Sequence, residues 1–156
     1  MPHLHKALTL VAMQNDSMLK LIDNYTLGLF DKENNIIARH KPRWTMFHQF
    51  RRVKENLNII RENENGFSKD TKDEANIYCL DDKFNIVWTL KKPFENDSFP
   101  NQIVWDKATI VRQTENGYLT LEIIDKSNSF ICSSQKGITV TVDYETGNTL
   151  SSEFTK

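Results

Sequence analysis

The sequence predicts a mainly β protein: an antiparallel β-meander, open, curved or partial-propeller-like, with one amphipathic helix near residues 44–56. Three observations lead there. Short apolar alternations recur at roughly ten-residue intervals, separated by polar turn clusters. One hairpin rule is used three times: Asp31, Asp81 and Asp143 each open a bend, and Asn35, Asn85 and Gly147 stand four places on. Such an Asp accepts from backbone N–H groups two residues ahead, and Asn or Gly tolerates the left-handed backbone a tight turn needs. Finally, one segment departs from period two. Trp44, Phe47, Phe50, Val53, Leu57 and Ile60 are spaced by threes and fours, which places them on one helical face.

Taken in order, Leu8 to Met13 reads as a strand, with a short helix over 4–13 as the alternative. Gln14 to Ser17 is a turn cluster, followed by strands Met18–Ile22, Tyr25–Phe30 and Ile36–His40. Pro42 ends that run, and the predicted helix over 44–56 follows, with Leu57 to Arg61 as a strand. Residues 63–75 are polar and turn-rich, the longest expected loop. The clearest hairpin spans 76–90, with Ile77 and Cys79 alternating before the turn and Ile86, Trp88 and Leu90 after it. Lys91-Lys92-Pro93 closes it, and 95–101 forms another loop. Gln102–Trp105, Ala108–Arg112, Tyr118–Ile124, Phe130–Ser133, Ile138–Tyr144 and Asn148–Phe154 complete the meander, with Asn116-Gly117 marking one tight turn.

Composition sets the limits. A chain of 156 residues is read as a single β-rich domain over 1–156, large enough for a real core. No apolar run approaches the ~18 residues a membrane helix needs. The opening Met1-Pro2-His3-Leu4-His5-Lys6 leads into a mixed segment rather than a secretory core, so a cytoplasmic location is expected. Cys79 and Cys132 each sit in an apolar alternation, as buried free thiols do. The net charge of −1 predicts no polyanionic partner, yet charge is unevenly spread. Arg39, Lys41, Arg43, Arg51, Arg52 and Lys54 form a basic stretch; Glu62, Glu64, Asp70, Asp73, Glu74, Asp81 and Asp82 dominate the next one. Mutual neutralisation on folding is the simpler reading, and a charged face turned to a partner is the sharper one.

The texts Asn76-Ile77-Tyr78-Cys79-Leu80-Asp81 … Ile86-Val87-Trp88 and Gly137 to Asn148 resemble outer hairpins of quinoprotein-like β-propeller blades, covering about a third of the chain. That resemblance implies a fold of repeated sheets, with text for about three partial blades where closure needs four or more. In general type, a small, β-rich chain full of Asn, Asp and Lys and without catalytic text also resembles small bacterial immunity proteins. That likeness implies a protein partner, a cognate toxin, and transfers no residue.

The chemistry-bearing patterns are few. There is no Gly-rich phosphate loop, no Cys-x-x-Cys, no His-Glu-x-x-His and no Gly-x-Ser-x-Gly, so no cofactor, metal or catalytic residue is expected. His3 and His5 read as a solvated pair, and Asp81 as a turn residue. Arg43-Trp44 and Phe47-x-x-Phe50-Arg51-Arg52 mix basic and aromatic residues as single-strand binders do, but the aromatics fit a buried face and the chain is slightly acidic, which argues against nucleic acid. The leading expectation is a non-enzymatic binding protein, an immunity protein neutralising a bacterial toxin such as a nuclease. Its contacts are expected at Glu62, Glu64, Phe67, Asp70, Asp73 and Glu74. The alternatives are a small hydrolase or carbohydrate-binding protein, with Trp44, Trp88 and Trp105 around a sheet cavity, and a propeller-like module that oligomerises through edge strands.

Overall fold

The computed structural model describes residues 17–67, 71–105, 108–113, 119–124 and 128–154. Three antiparallel sheets follow one another along the chain. The first is β1 (Met18–Asp23), β2 (Thr26–Phe30) and β3 (Ile36–His40), in that order. The second is β4 (Phe47–Lys54), β5 (Leu57–Glu62), β6 (Glu74–Leu80) and β7 (Ile86–Lys91), again in chain order. In the third, β8 (Val104–Trp105) pairs with β11 (Ser129–Ser133), then come β12 (Ile138–Asp143) and β13 (Thr149–Phe154). A separate hairpin, β9 (Ala108–Gln113) with β10 (Leu119–Ile124), is inserted between β8 and β11. The sheets are not closed. The expected first strand at 8–13 and the pair His3 and His5 lie outside the described residues. No helix among the described residues is long and apolar enough to cross a membrane.

The three Asp bends are hairpin turns joining β2–β3, β6–β7 and β12–β13. Asp31 Oδ1 accepts from the amides of Glu33 and Asn35 (2.9 and 2.8 Å), and Asp81 Oδ1 from those of Lys83 and Asn85 (both 2.9 Å). Asp143 Oδ1 accepts from Glu145 and Thr146 (2.7 and 3.3 Å). The left-handed position differs from expectation in the first two. It falls on Asn34 (φ 67°) and Phe84 (φ 62°), while Asn35 and Asn85 donate back to the Asp; only Gly147 (φ 72°) stands where predicted. The third turn is one residue longer, closing from Asp143 N–H to Asn148 C=O rather than four places on as in the others.

The predicted amphipathic helix over 44–56 is not formed: residues 47–54 are strand β4, paired antiparallel with β5. Irregularities in the β4–β5 register fall between Phe47 and Gln49 and between Arg52 and Lys54. A bulge adds one residue and turns the two-residue spacing of a strand face into three. Phe47 and Phe50 therefore share a face at a spacing that imitates a helix turn. The stripe is not continuous in space, since Val53 and Leu57 pack on the opposite side from Phe47, Phe50 and Ile60.

The second sheet is covered on both faces. Toward the first sheet it presents Phe47, Phe50, Ile60, Tyr78 and Leu80, with Phe84 of its last turn, which cluster with Leu19 and Leu27 of the first sheet and with Trp44 of the connection. Toward the third it presents Ile59, Ile77, Cys79, Trp88 and Leu90, which meet Phe130, Cys132, Val140, Val142 and Tyr144. Counted back from the turn Asp, the positions one and three before it (Leu80 and Tyr78; Val142 and Val140) face the preceding sheet in both the second and the third. The one-residue alternation of a strand then puts Thr139 and Thr141 on the outer face of the third sheet, where the second sheet has Ile77 and Cys79. Both cysteines are free and buried, as expected.

Candidate functional site

The strands' turns divide the molecule. The Asp bends lie at one end, and the connections 41–46, 63–67 with 71–73, 92–103 and 134–137 gather at the other. Cross-links between these loops are specific. Lys92 N–H donates to Asp73 C=O (2.7 Å), Gln135 N–H to Ser98 C=O (2.8 Å), and Asn63 N–H to Met46 C=O (2.8 Å). The side chain of Asn76, buried at the start of β6, donates to Glu62 C=O and Phe99 C=O and accepts from Phe99 N–H. One strand residue thus anchors the 92–103 loop, and Phe99 and Ile103 fix it further by entering the core.

Of the six residues expected to touch a partner, Glu62 is fully buried at the end of β5. Its Oε1 accepts from the amides of Trp44 and Thr45 (2.9 and 3.0 Å), and its Oε2 from the amide of Arg43 and the hydroxyl of Tyr78 (2.7 and 2.5 Å). Tyr78 in turn lies 2.7 Å from His40 Nε2, a contact between first and second sheets. Burial first, then the charge of Glu62, drives the Tyr78 phenol upward, so it stays a donor. Glu62 holds the 41–46 connection and is not offered to solvent. Glu74 is exposed and pairs with Arg43 (2.9 Å), whose guanidinium also stacks over Trp44. Asp70 lies outside the described residues. Asp73 is exposed; Glu64 and Phe67 are half-buried.

Phe67 packs edge-on against Trp44 (centroids 5.1 Å apart), with the Lys92 ammonium over its ring at 5.4 Å. Glu64 is the carboxylate beside Arg61, a guanidinium only 1% exposed, at 3.8 Å. Burial pulls the Arg61 pKa down and Glu64 opposes that fall. The basic and acidic stretches neutralise each other in part, through Arg43 with Glu74 and Arg52 with Asp82 (2.5 and 3.0 Å). Burial pushes the Asp82 carboxyl up, but bonds from Arg52 and Asn58 outweigh it and leave it below its ordinary value.

Around Lys92 the loops leave three adjoining clefts. One of about 520 Å³ is lined by Lys72, Asp73, Lys92 and the 93–96 segment. A smaller one of about 140 Å³ lies among Glu64, Phe67, Lys92, Asp97 and Gln135. The third, about 220 Å³, is more apolar and runs over Leu90, Phe94, Phe99, Ile138 and Val140. Three of the expected residues (Glu64, Phe67 and Asp73) therefore line clefts at one end of the molecule. The 92–97 segment and Gln135 complete these walls; the sequence reading passed over them because only folding brings those two loops together. The tryptophans do not share a cavity: Trp44 belongs to one inter-sheet cluster, Trp88 and Trp105 to the other. Among the described residues no group of three or more His, Cys, Asp or Glu side chains could hold a metal ion. Comparison with protein-family models gives no match, and comparison with curated proteins gives none either.

Proposed function

We propose that this chain is a non-enzymatic binding protein whose contact surface is its loop end, and that it acts as an immunity protein, holding a cognate bacterial toxin by that surface. The observation that supports this is the set of clefts around Lys92, where Glu64, Phe67 and Asp73 stand on loops cross-linked to a rigid three-sheet scaffold. Rigid loops lose little entropy on association, and a half-buried aromatic ringed by charged groups is the pattern of an interface anchor. The space between the sheets is filled by side chains, which favours surface recognition over chemistry in a sheet cavity.

The test is quantitative binding to the toxin identified by cross-linking in the source cell. Phe67→Ala and Asp73→Lys should each weaken binding by about tenfold or more, as central contacts do. Glu145→Lys, at the opposite end, should leave it unchanged. Equal affinities for all three variants would remove the loop end as the contact surface.

A second reading, a blade-like module of a larger ring, draws on the repeated facing of positions before each turn Asp. It predicts self-association of the isolated chain by sedimentation; a strict monomer would count against it.

A further inference from the structure

Resting on the binding role just proposed, we infer that the small cleft between Glu64, Phe67 and Asp97 is a socket for one cationic side chain of the partner, an arginine guanidinium. Asp97 is 2% exposed. Its Oδ1 accepts from the amides of Ser98 (3.0 Å) and Lys136 (3.1 Å), but its buried Oδ2 meets no donor. The buried Oε2 of Glu64 likewise lacks a hydrogen bond; Arg61 Nη1 stands at 3.8 Å and His48 Nδ1 at 4.0 Å. Buried carboxylate oxygens without donors are costly in a folded protein and call for one. Both residues line the same cleft, of about 140 Å³, several times the space one water occupies and enough for the four heavy atoms of a guanidinium.

The cleft's other groups select the ligand. Phe67 offers an aromatic face already used by a cation, the Lys92 ammonium. A planar guanidinium can stack there and donate sideways to carboxylates, which a compact ammonium does less well. A divalent metal fits poorly, because among the described residues these carboxylates belong to no group of three or more acidic, His or Cys side chains that could hold one, and Lys92 adds positive charge. Lys92 is then the resident cation that the partner's arginine displaces from the ring, and the Lys136 ammonium is held aside by Glu95 C=O.

The probe is N-methylguanidinium, titrated at constant ionic strength into the isotope-labelled full chain, with N-methylurea as the neutral isostere. The expected result is saturable amide shifts at Phe67, Ser98 and Lys136 for the cation alone. Asp97→Asn should weaken binding by about tenfold, the loss of one charge-assisted contact. Lys92→Gln should tighten it, and this variant alters only a half-exposed side chain, so it stays informative if Asp97→Asn does not fold. No saturable shift, equal shifts with N-methylurea, an affinity unmoved by Lys92→Gln, or a preference for Mg²⁺ or Ca²⁺ over the guanidinium would each overturn the socket. None of these readouts involves the partner. A socket that binds the probe beside loop variants that leave toxin binding intact would therefore sink the contact surface alone, and the reverse would sink the socket alone.

Discussion

Glu62→Gln is the substitution that most directly tests how the loop end is held. The native carboxylate receives four donors, three backbone amides and the Tyr78 hydroxyl, at 2.5 to 3.0 Å in a fully buried place. Glutamine keeps the shape but retains one oxygen; with its NH₂ at the Oε2 place the Tyr78 hydroxyl can turn to accept from it and donate to His40 Nε2, but the Arg43 amide is left facing a donor. At about 1.5–3 kcal/mol per hydrogen bond to a charged group, losing the Arg43 amide bond costs about that much. That is a sizeable part of the roughly 5–15 kcal/mol a domain usually has. Guanidinium-chloride unfolding followed by tryptophan fluorescence should show the midpoint falling at unchanged slope. Tyr78→Phe removes one of the four bonds and should cost about 1–3 kcal/mol. The double variant should be less destabilised than the sum, because both changes act on Oε2. A loss under about 1 kcal/mol for Glu62→Gln would refute the claim that this carboxylate anchors residues 43–45.

Three further outcomes are expected. Gly147→Ala puts a Cβ 2.6 Å from Trp88 Cδ2 and forces a side chain onto a residue at φ 72°, so it should cost about 2–4 kcal/mol. It should also disturb the Trp88 Nε1–H bond to Tyr144 C=O, visible as a shifted indole resonance. Burial, assisted by Arg43 and opposed by Glu62, holds the His40 pKa below its ordinary 6.5. The unfolded chain then takes up this proton first, so stability should be level above about pH 6.5 and fall as pH drops from there toward the folded pKa. His40→Gln should flatten that slope in pH-dependent unfolding, and an unchanged slope would place its origin elsewhere. Cys79 and Cys132 are buried with thiols pushed up to about 12, so neither should react with a disulfide reagent at pH 8 until the chain unfolds.

Much of the architecture can be read from local text. The alternations at 18–22, 36–40, 57–61 and 138–144 became strands, because a period of two leaves one side of a pleated ribbon apolar whatever it later packs against. The turns at Asp31, Asp81 and Asp143 were legible for a similar reason: an Asp side chain satisfying amides two to four places on is a contact within one loop. The helix over 44–56 was misread because irregular register in β4 shifts the spacing of Phe47 and Phe50, and a bulge is set by pairing with β5 rather than by the segment itself. Glu62 was expected at the surface because a Glu at the head of a polar loop usually is. Its burial depends on three amides that arrive from nineteen, eighteen and seventeen residues earlier.

The amino-acid order alone determined most of the strands and the three Asp-led turns, since each depends on interactions within a few residues. Which charges are spent inside the fold, as with Glu62, and which border a cleft, as with Glu64 and Asp97, was decided only when separate loops met. Burial and donor supply belong to neighbours in space, and residues 63–67 and 71–73 and the 92–103 and 134–137 connections become neighbours only after the sheets have stacked.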